Sequence, residues 1–124
     1  MTYNPATITD FDKRTVVTKL IDFNSEDKRY EIPTLCEDIG MSRRKLRDIV
    51  EAVNCDESPE YADKMILTDT SEGGYWLAVR GGNPAPAHRN IASEFSRGSN
   101  LLNKARAMER KAVRIYGTAQ EAMF

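Results

Sequence analysis

The sequence predicts an α+β fold that is mainly α-helical, with a three-helix core, a small antiparallel β-sheet and a long C-terminal helix. Three observations lead to this class. Apolar residues recur at helical spacing on both sides of a sharp turn at Gly40. Two alternating apolar segments then flank the glycine pair Gly73 and Gly74, which is a hairpin pattern. Beyond the hairpin, apolar residues recur every three or four positions from Ile91 to Ile115.

The composition predicts a soluble protein, since 40% of its 124 residues are hydrophobic and 30% are charged. This length fits one compact domain with an appendage. We divide the chain into a domain over residues 1–80, a linker over residues 81–88 and an amphipathic basic helix within residues 89–124. No apolar run approaches the roughly 18 residues of a membrane span, and the polar start does not resemble a secretion signal. We therefore expect a cytoplasmic protein.

The charge is unevenly distributed, although the net charge is only −1. From Arg89 onward, seven basic residues against three acidic ones give +4, so the first 88 residues carry −5. The two cysteines, Cys36 and Cys55, are too few for a disulfide framework, and we expect both to be free thiols.

The first elements follow from local signals. Thr9 or Asp10 can cap a helix that reaches about Asn24. The alternating, β-prone residues 29–32 predict a short strand before the next helix. The apolar stripe of the first helix consists of Phe11, Val16, Val17, Leu20 and Ile21.

Two short helices at a sharp angle come next. Pro33 suits a helix start because its missing N–H would be unpaired there anyway. Gly40 ends that helix because it adopts left-handed backbone at little cost. Ser42 caps the following helix, which is predicted to run to about Val53. The residues expected in the shared core are Leu20, Leu35, Ile39, Leu46, Ile49 and Leu77.

The second half is predicted to contain a hairpin and one long helix. Strands over residues 65–68 and 75–79 are joined by a turn, and of Tyr75 and Trp76 one is expected in the core and one partly exposed. Residues 81–88 are expected to lack regular structure. A helix from about Arg89 to Tyr116 follows, with a bend or restart expected at Gly98 because glycine weakens a helix.

The helix that begins after Ser42 carries a run of charge on its outward face. A charge run is usually a solvated face, but basic residues at a helix start oppose the helix dipole, which favours a function. Arg43 and Arg47 stand one turn apart, as residues that reach base edges do, whereas Arg44 and Lys45 suit phosphates. The residues expected to contact DNA are Ser42, Arg43, Arg44, Lys45, Arg47 and Asp48.

This order of elements, with the spacing of Cys36, Gly40, Leu46 and Ile49, resembles the winged helix-turn-helix DNA-binding domains over about residues 11–79. The family usually has alanine where this chain has Cys36. The hairpin end and the basic segment 104–108 are similar to small winged-helix proteins of phages and prophages. If a phage encodes the chain, the expected location is the cytoplasm of the host cell. The resemblance implies binding of double-stranded DNA, with residues 42–53 in the major groove, and a role in transcription regulation or as a DNA replication accessory; both roles stay open.

The predicted wing tip departs from the family pattern. Winged helices that grip DNA often carry a basic residue there, whereas this chain has Glu72, which would oppose a phosphate. Auxiliary phosphate contacts are therefore expected from the Ser71 hydroxyl and from Arg106 and Arg110. The alternative function is a protein–protein adaptor with no direct DNA contact, which the slightly acidic net charge favours.

The C-terminal apolar stripe has two interpretations, since it can pack on its own domain or pair with a second copy. We expect a homodimer through Phe95, Leu102, Ala105, Met108 and Ala112. The single histidine, His88, has no companion at metal-ligand spacing, and no nucleophile–base set is visible. We therefore expect no enzyme activity, cofactor or metal.

Overall fold

The computed structural model describes residues 8–25, 27–69, 73–96 and 102–117. Within these residues the chain is mainly helical and contains one small antiparallel sheet, so the α+β class is confirmed. None of the helices in these ranges is long and apolar enough to cross a membrane. The elements are α1 (Asp10–Lys19), β1 (Tyr30–Glu31), α2 (Ile32–Ile39), α3 (Arg43–Cys55), β2 (Ile66–Asp69), β3 (Gly74–Leu77), α4 (Ala85–Ser96) and α5 (Leu102–Tyr116).

Helix α1 starts as predicted but is shorter. The Asp12 N–H donates to Thr9 Oγ1 at 3.1 Å and the Thr9 N–H donates to the Asp12 carboxylate at 3.2 Å, which forms a capping box. The helix ends at Lys19 rather than near Asn24, because the chain then turns so that the Phe23 carbonyl accepts from the Leu77 N–H at 2.8 Å.

The predicted apolar stripe of α1 is wrong at two residues, Phe11 and Ile21, which are not buried. Phe11 is 73% exposed and Ile21 is 57% exposed. Ile21 lies beyond the end of the shortened helix, and Phe11 lies on the side of α1 that faces away from the core. Val16 and Leu20 are fully buried and are the residues that hold α1 against α3.

The two-helix unit forms as predicted. Gly40 ends α2 in the left-handed conformation at φ 66°, and Ser42 Oγ accepts from the Lys45 N–H at 3.1 Å to cap α3. Leu35 and Leu46 are fully buried, whereas Ile39 is only partly buried at the edge of the same cluster. Both cysteines are free, as predicted.

The sheet has the order β1-β3-β2 and is covered on both faces. Tyr75 packs with helices α1–α3, and the next residue, Trp76, packs with α4 and α5 on the opposite face. The expectation that one of these two rings is partly exposed is therefore wrong, since they are 9% and 3% exposed. The reason is the second helical layer, which covers the face that an isolated hairpin would leave in water.

The C-terminal segment forms two helices, α4 and α5, that pack against each other, so the second helix start allowed for in the prediction is present, at Leu102. Helix α4 begins at Ala85, inside the segment predicted to be an irregular linker. Pro86 is tolerated in its first turn, where no helical N–H bond is lost, and Asn83 Oδ1 accepts from the Ala85 N–H at 3.1 Å. Gly98 itself lies outside the described residues.

The apolar stripe of α5 packs on its own domain. Ala105, Met108 and Ala112 are at most 1% exposed in the single chain, where α5 meets α3, α4 and the sheet. These three side chains are therefore occupied within the single chain, as the alternative interpretation of the stripe predicts, and they give no support to the expected homodimer. Phe95 is 38% exposed, and the side chain of Leu102 lies outside the described residues.

Candidate nucleic-acid interface

The residues predicted to contact DNA lie on the outer side of α3, around its first two turns. Leu46, Ile49 and Val50 commit the inner side of this helix to the core, so the remaining positions point outward. Ser42 and all four basic residues are exposed, and Asp48 is half-buried. The structure therefore brings the six predicted residues together on one helix: Ser42, Arg43, Arg44, Lys45, Arg47 and Asp48.

These cations have few partners within the protein. Among the described residues, no carboxylate lies within 4.0 Å of the guanidinium of Arg43, Arg44 or Arg47. Lys45 differs, because its Nζ lies 3.7 Å from the Asp12 carboxylate at the start of α1. Three positive charges are thus left to solvent at the helix end where the dipole disfavours them.

Arg43 and Arg47 also line a groove that runs between α3, the sheet and the two C-terminal helices, with a volume of about 320 Å³. We call it the α3 groove; Arg44 is not among its lining residues. The ring of Tyr75 borders it. Burial raises the pKa of the Tyr75 hydroxyl, while the nearby charges of Arg47 and Arg43 act to lower it. The phenol therefore lies within the electrostatic reach of both guanidinium groups.

The lining of the α3 groove is acidic as well as basic. Lys104 Nζ on α5 lies 3.1 Å from Glu94 Oε1 on α4 and 3.7 Å from Glu51 Oε1 on α3. This bridge joins three helices, and its charged side chains are at most 24% exposed. It also places two carboxylates in the lining of the groove, with Glu51 one helical turn after Arg47 on α3.

The three residues predicted to make auxiliary phosphate contacts differ in their availability. Ser71 lies outside the described residues, and Arg106 is exposed. Arg110 is engaged, because its Nε and Nη2 each donate to a Glu57 carboxylate oxygen at 2.6 Å. This paired hydrogen bond is the main reason that the pKa of Glu57 is lowered. Arg110 would have to leave a carboxylate to reach a phosphate.

The position of α3 is fixed by two buried polar residues that were not predicted, Lys111 and Asn54. Lys111 is fully buried, and its Nζ donates to the carbonyls of Val53 at 2.6 Å and Lys64 at 2.8 Å. Burial lowers the pKa of Lys111 to about 8. The signal was present, since Lys111 stands three residues after Met108 and four before Ile115, on the apolar stripe itself.

Asn54 provides the second anchor. Its amide donates to the Ile66 carbonyl at 3.0 Å and accepts from the Ile66 N–H at 2.8 Å, so α3 is bonded directly to the start of β2. Both atoms are buried, where an unpaired polar group would be costly. The C-terminal half of α3 is therefore fixed by Asn54 and Lys111, while its N-terminal half presents the basic residues to solvent.

Other site chemistry is sparse in the part of the chain that the structure describes. There, no group of three or more His, Cys, Asp or Glu side chains is arranged to hold a metal ion. Comparisons of the chain with protein-family models, with curated proteins and with solved structures find no match.

Proposed function

We propose that this chain is a winged-helix protein that binds double-stranded DNA and inserts α3 into the major groove. Two features of the fold support the proposal. Helix, strand, two helices and a hairpin follow in the order that the winged-helix resemblance implies, and β1 pairs with β3 of the hairpin. Helix α3 is also anchored through its inner side and its C-terminal end, which leaves the other side available to a partner.

The observation that carries the proposal is the set of three guanidinium groups on α3 with no carboxylate partner in the described chain. A phosphate backbone supplies the missing negative charge, and an arginine fork matches the O6 and N7 acceptors of guanine. Arg43 and Arg47 are assigned to base edges, and Arg44 and Lys45 to phosphates. Asp48 is half-buried four residues after Arg44, where a carboxylate can accept from a cytosine amino group.

The number of cations in this interface is small, and this number determines the DNA affinity that we expect. Arg44 and Lys45 at phosphates, with Arg106 as a third contact, correspond to a slope of roughly −2 to −3 in the logarithm of affinity against the logarithm of salt concentration. Binding is therefore expected to be measurable at low salt and to weaken steeply as salt is added. Arg106 is the one auxiliary residue that is described, exposed and outside an assigned ion pair.

The test is a salt-resolved titration of the full chain against a library of fluorescent duplexes. Arg47→Ala is expected to lose about 1–3 kcal/mol of affinity and to relax the preference at one base pair. Lys45→Ala is expected to weaken all duplexes alike and to reduce the salt slope by about one. The matched control is Arg80→Ala, which removes an exposed arginine that lies outside α3. No affinity of the wild type at about 50 mM salt would refute DNA binding.

For the biological role we propose transcription regulation or an accessory part in DNA replication, in a phage or prophage setting. The duplex library separates these roles. A regulator is expected to select one short sequence strongly, since each mismatched base pair costs about 1–3 kcal/mol. A replication accessory that coats DNA is expected to bind with little preference and to lose all duplexes together as salt rises.

A second candidate function is that of a protein–protein adaptor, and two observations favour it. Glu51 and Glu94 interrupt the positive face, and Phe95 stands 38% exposed beside a shallow cavity of about 720 Å³ on the outer side of α4. An exposed aromatic ring beside a depression is a common anchor for a partner. The adaptor interpretation predicts that duplex affinity is absent and that Arg47→Ala changes nothing in the titration.

A further inference from the structure

We infer that the α3 groove binds one phosphate group, free or at the end of a small molecule, beside Arg43, Arg47 and Tyr75. The site is defined by the polar groove residues that have no partner within the described chain, and it does not require DNA. Its regulatory consequence rests on the proposed function: an anion that occupies Arg43 and Arg47 withholds them from a DNA interface.

Most polar side chains that line the groove are engaged within the protein. The Asn54 amide is bonded to the backbone of Ile66. Asn90 accepts from the Thr68 N–H at 3.1 Å and donates to the Thr68 carbonyl at 3.0 Å, and the Thr68 hydroxyl donates to the Gly74 carbonyl at 2.9 Å. A ligand would have to break these bonds to use the groups that form them. The same holds for the members of the ion bridge: Lys104, Glu51 and Glu94.

Three polar side chains in the same lining make no hydrogen bond or ion pair with another described residue: Arg43, Arg47 and Tyr75. Tyr75 is only 9% exposed, and burial raises the pKa of its hydroxyl above the ordinary value of 10.0. The hydroxyl therefore keeps its proton at neutral pH and is a donor without an acceptor. A polar group left unpaired on a buried side chain is costly, and an acceptor in the groove removes that cost.

These three donors serve one place in the groove. Arg43 and Arg47 lie one helical turn apart on α3, and the charges of both act to lower the pKa of the Tyr75 hydroxyl. Both guanidinium groups therefore lie within electrostatic reach of that hydroxyl. Tyr75 belongs to β3, so the donors come from two different elements of the fold.

The chemistry of the three donors selects a phosphate group. Two arginines supply positive charge and paired N–H donors that match phosphate oxygens, and the phenol supplies one O–H. A phosphate monoester has three terminal oxygens and about two negative charges, whereas the diester of a DNA backbone has two such oxygens and one charge. A monoester or inorganic phosphate is therefore favoured over a diester. The ion bridge at Lys104, with one cation and two carboxylates, adds a net negative charge and limits the groove to one phosphate.

The test is a titration of the full chain with inorganic phosphate, methyl phosphate and dimethyl phosphate at constant ionic strength, followed by amide NMR. We expect saturable shifts at groove residues such as Tyr75, with the first two probes bound at least about tenfold more tightly than the diester. Tyr75→Phe keeps the ring and removes only the hydroxyl. It is expected to weaken phosphate binding about tenfold, the effect of one hydrogen bond to a charged group, and Arg47→Gln by at least as much.

Two matched controls leave the three donors intact. Arg44→Gln removes the same charge from the same helix, outside the groove lining. Tyr30→Phe removes a hydroxyl that already donates to Asp38, from the residue that pairs with Tyr75 in the sheet. Both are expected to leave phosphate binding unchanged within about twofold. Thermal melts of all four variants verify that they are folded.

Several outcomes would overturn the inference. They are the absence of saturable phosphate binding in the wild type, unchanged binding in Tyr75→Phe, and a loss in Arg44→Gln equal to that in Arg47→Gln. Dimethyl phosphate bound as tightly as the other probes would also overturn it, because the groove would then be a site for backbone diesters. Binding of inorganic phosphate without methyl phosphate would assign the site to the free anion.

The duplex titration separates the groove from the proposed function. Duplex binding without phosphate binding overturns the groove inference alone, whereas phosphate binding without duplex binding supports the groove and refutes DNA binding. When both bind, inorganic phosphate is expected to displace the duplex more strongly than a chloride salt of equal ionic strength. Equal displacement by the two salts would overturn the regulatory consequence.

Discussion

The N-terminal half of α3 carries four basic residues and the whole of α5 carries five. The two sets differ in whether they have partners within the protein. On α3, three of the four have no carboxylate partner among the described residues. On α5, four of the five are engaged with other described residues, whereas Arg106 has no such partner among them. The engaged residues are Lys104, Arg110, Lys111 and Arg114.

The difference shows that available charge cannot be read from a charge count. The partner of Arg110 is Glu57, which lies 53 residues earlier in the chain, and the carbonyl partner of Lys111 at Val53 lies 58 residues earlier. The basic C-terminal segment therefore serves to attach α5 to the rest of the fold. Arg43, Arg44 and Arg47 have no such carboxylate partner among the described residues, and this is the observation from which we propose a function for them.

The largest expected effect tests whether α3 is stabilised by its inner side. Leu46→Ala removes a fully buried side chain and is expected to lower the free energy of unfolding by about 2–5 kcal/mol. Arg44→Ala, two positions away on the outer side, is expected to change it by less than about 0.5 kcal/mol. Chemical denaturation of both variants measures the contrast. A comparable loss in the two would mean that the basic side also holds the fold together.

The next effect concerns the buried ammonium of Lys111. Its pKa is lowered from 10.5 to about 8 in the folded chain, so between these values the unfolded chain binds more protons. Stability is therefore expected to rise from about pH 8 to pH 10, by at most about 1.4 kcal/mol per pH unit. Lys111→Met should lack this rise when unfolding is measured across the same pH range. A rise that is equal in the variant would assign the effect to another group.

The smallest expected effect is that of an exposed ion pair. Arg110→Gln breaks the paired hydrogen bond to Glu57 and is expected to cost up to about 1 kcal/mol, less at high salt. Arg44→Gln has no such bond to break and is expected to be neutral. Denaturation curves at low and high salt compare the two variants. If neither changes stability, the Glu57 pair does not attach α5, and the contrast between the two helices is weaker than proposed.

The parts of the fold that local chemistry determines could be predicted from the sequence. Gly40 and Ser42 act through their own backbone and side chain, so the turn and the α3 cap were predictable. The inner side of α3 was equally predictable from its apolar spacing. The outward cluster at residues 43–47 followed directly, because the remaining positions of a helix with one buried side must face out.

The features that depend on distant contacts could not be predicted. Trp76 is buried because α4 and α5 cover the second face of the sheet. No local sequence pattern predicts that these two helices pack there. The same layer turns a predicted dimer stripe into an internal interface at Met108 and Ala112. Whether a given arginine is free also depends on long-range packing, which is why Arg110 and Arg47 look alike in the sequence and differ in the fold.

The most direct test of the central claim removes equal charge from the two helices. One variant carries Arg44→Gln and Arg47→Gln, the other Arg110→Gln and Arg114→Gln, so both lose two positive charges. Duplex binding is measured for each as a function of salt. We predict that the α3 variant loses most of its affinity and about one unit of salt slope, whereas the α5 variant keeps both. Equal losses in the two variants would contradict it, because they would mean that net charge and not the exposed face of α3 attracts DNA.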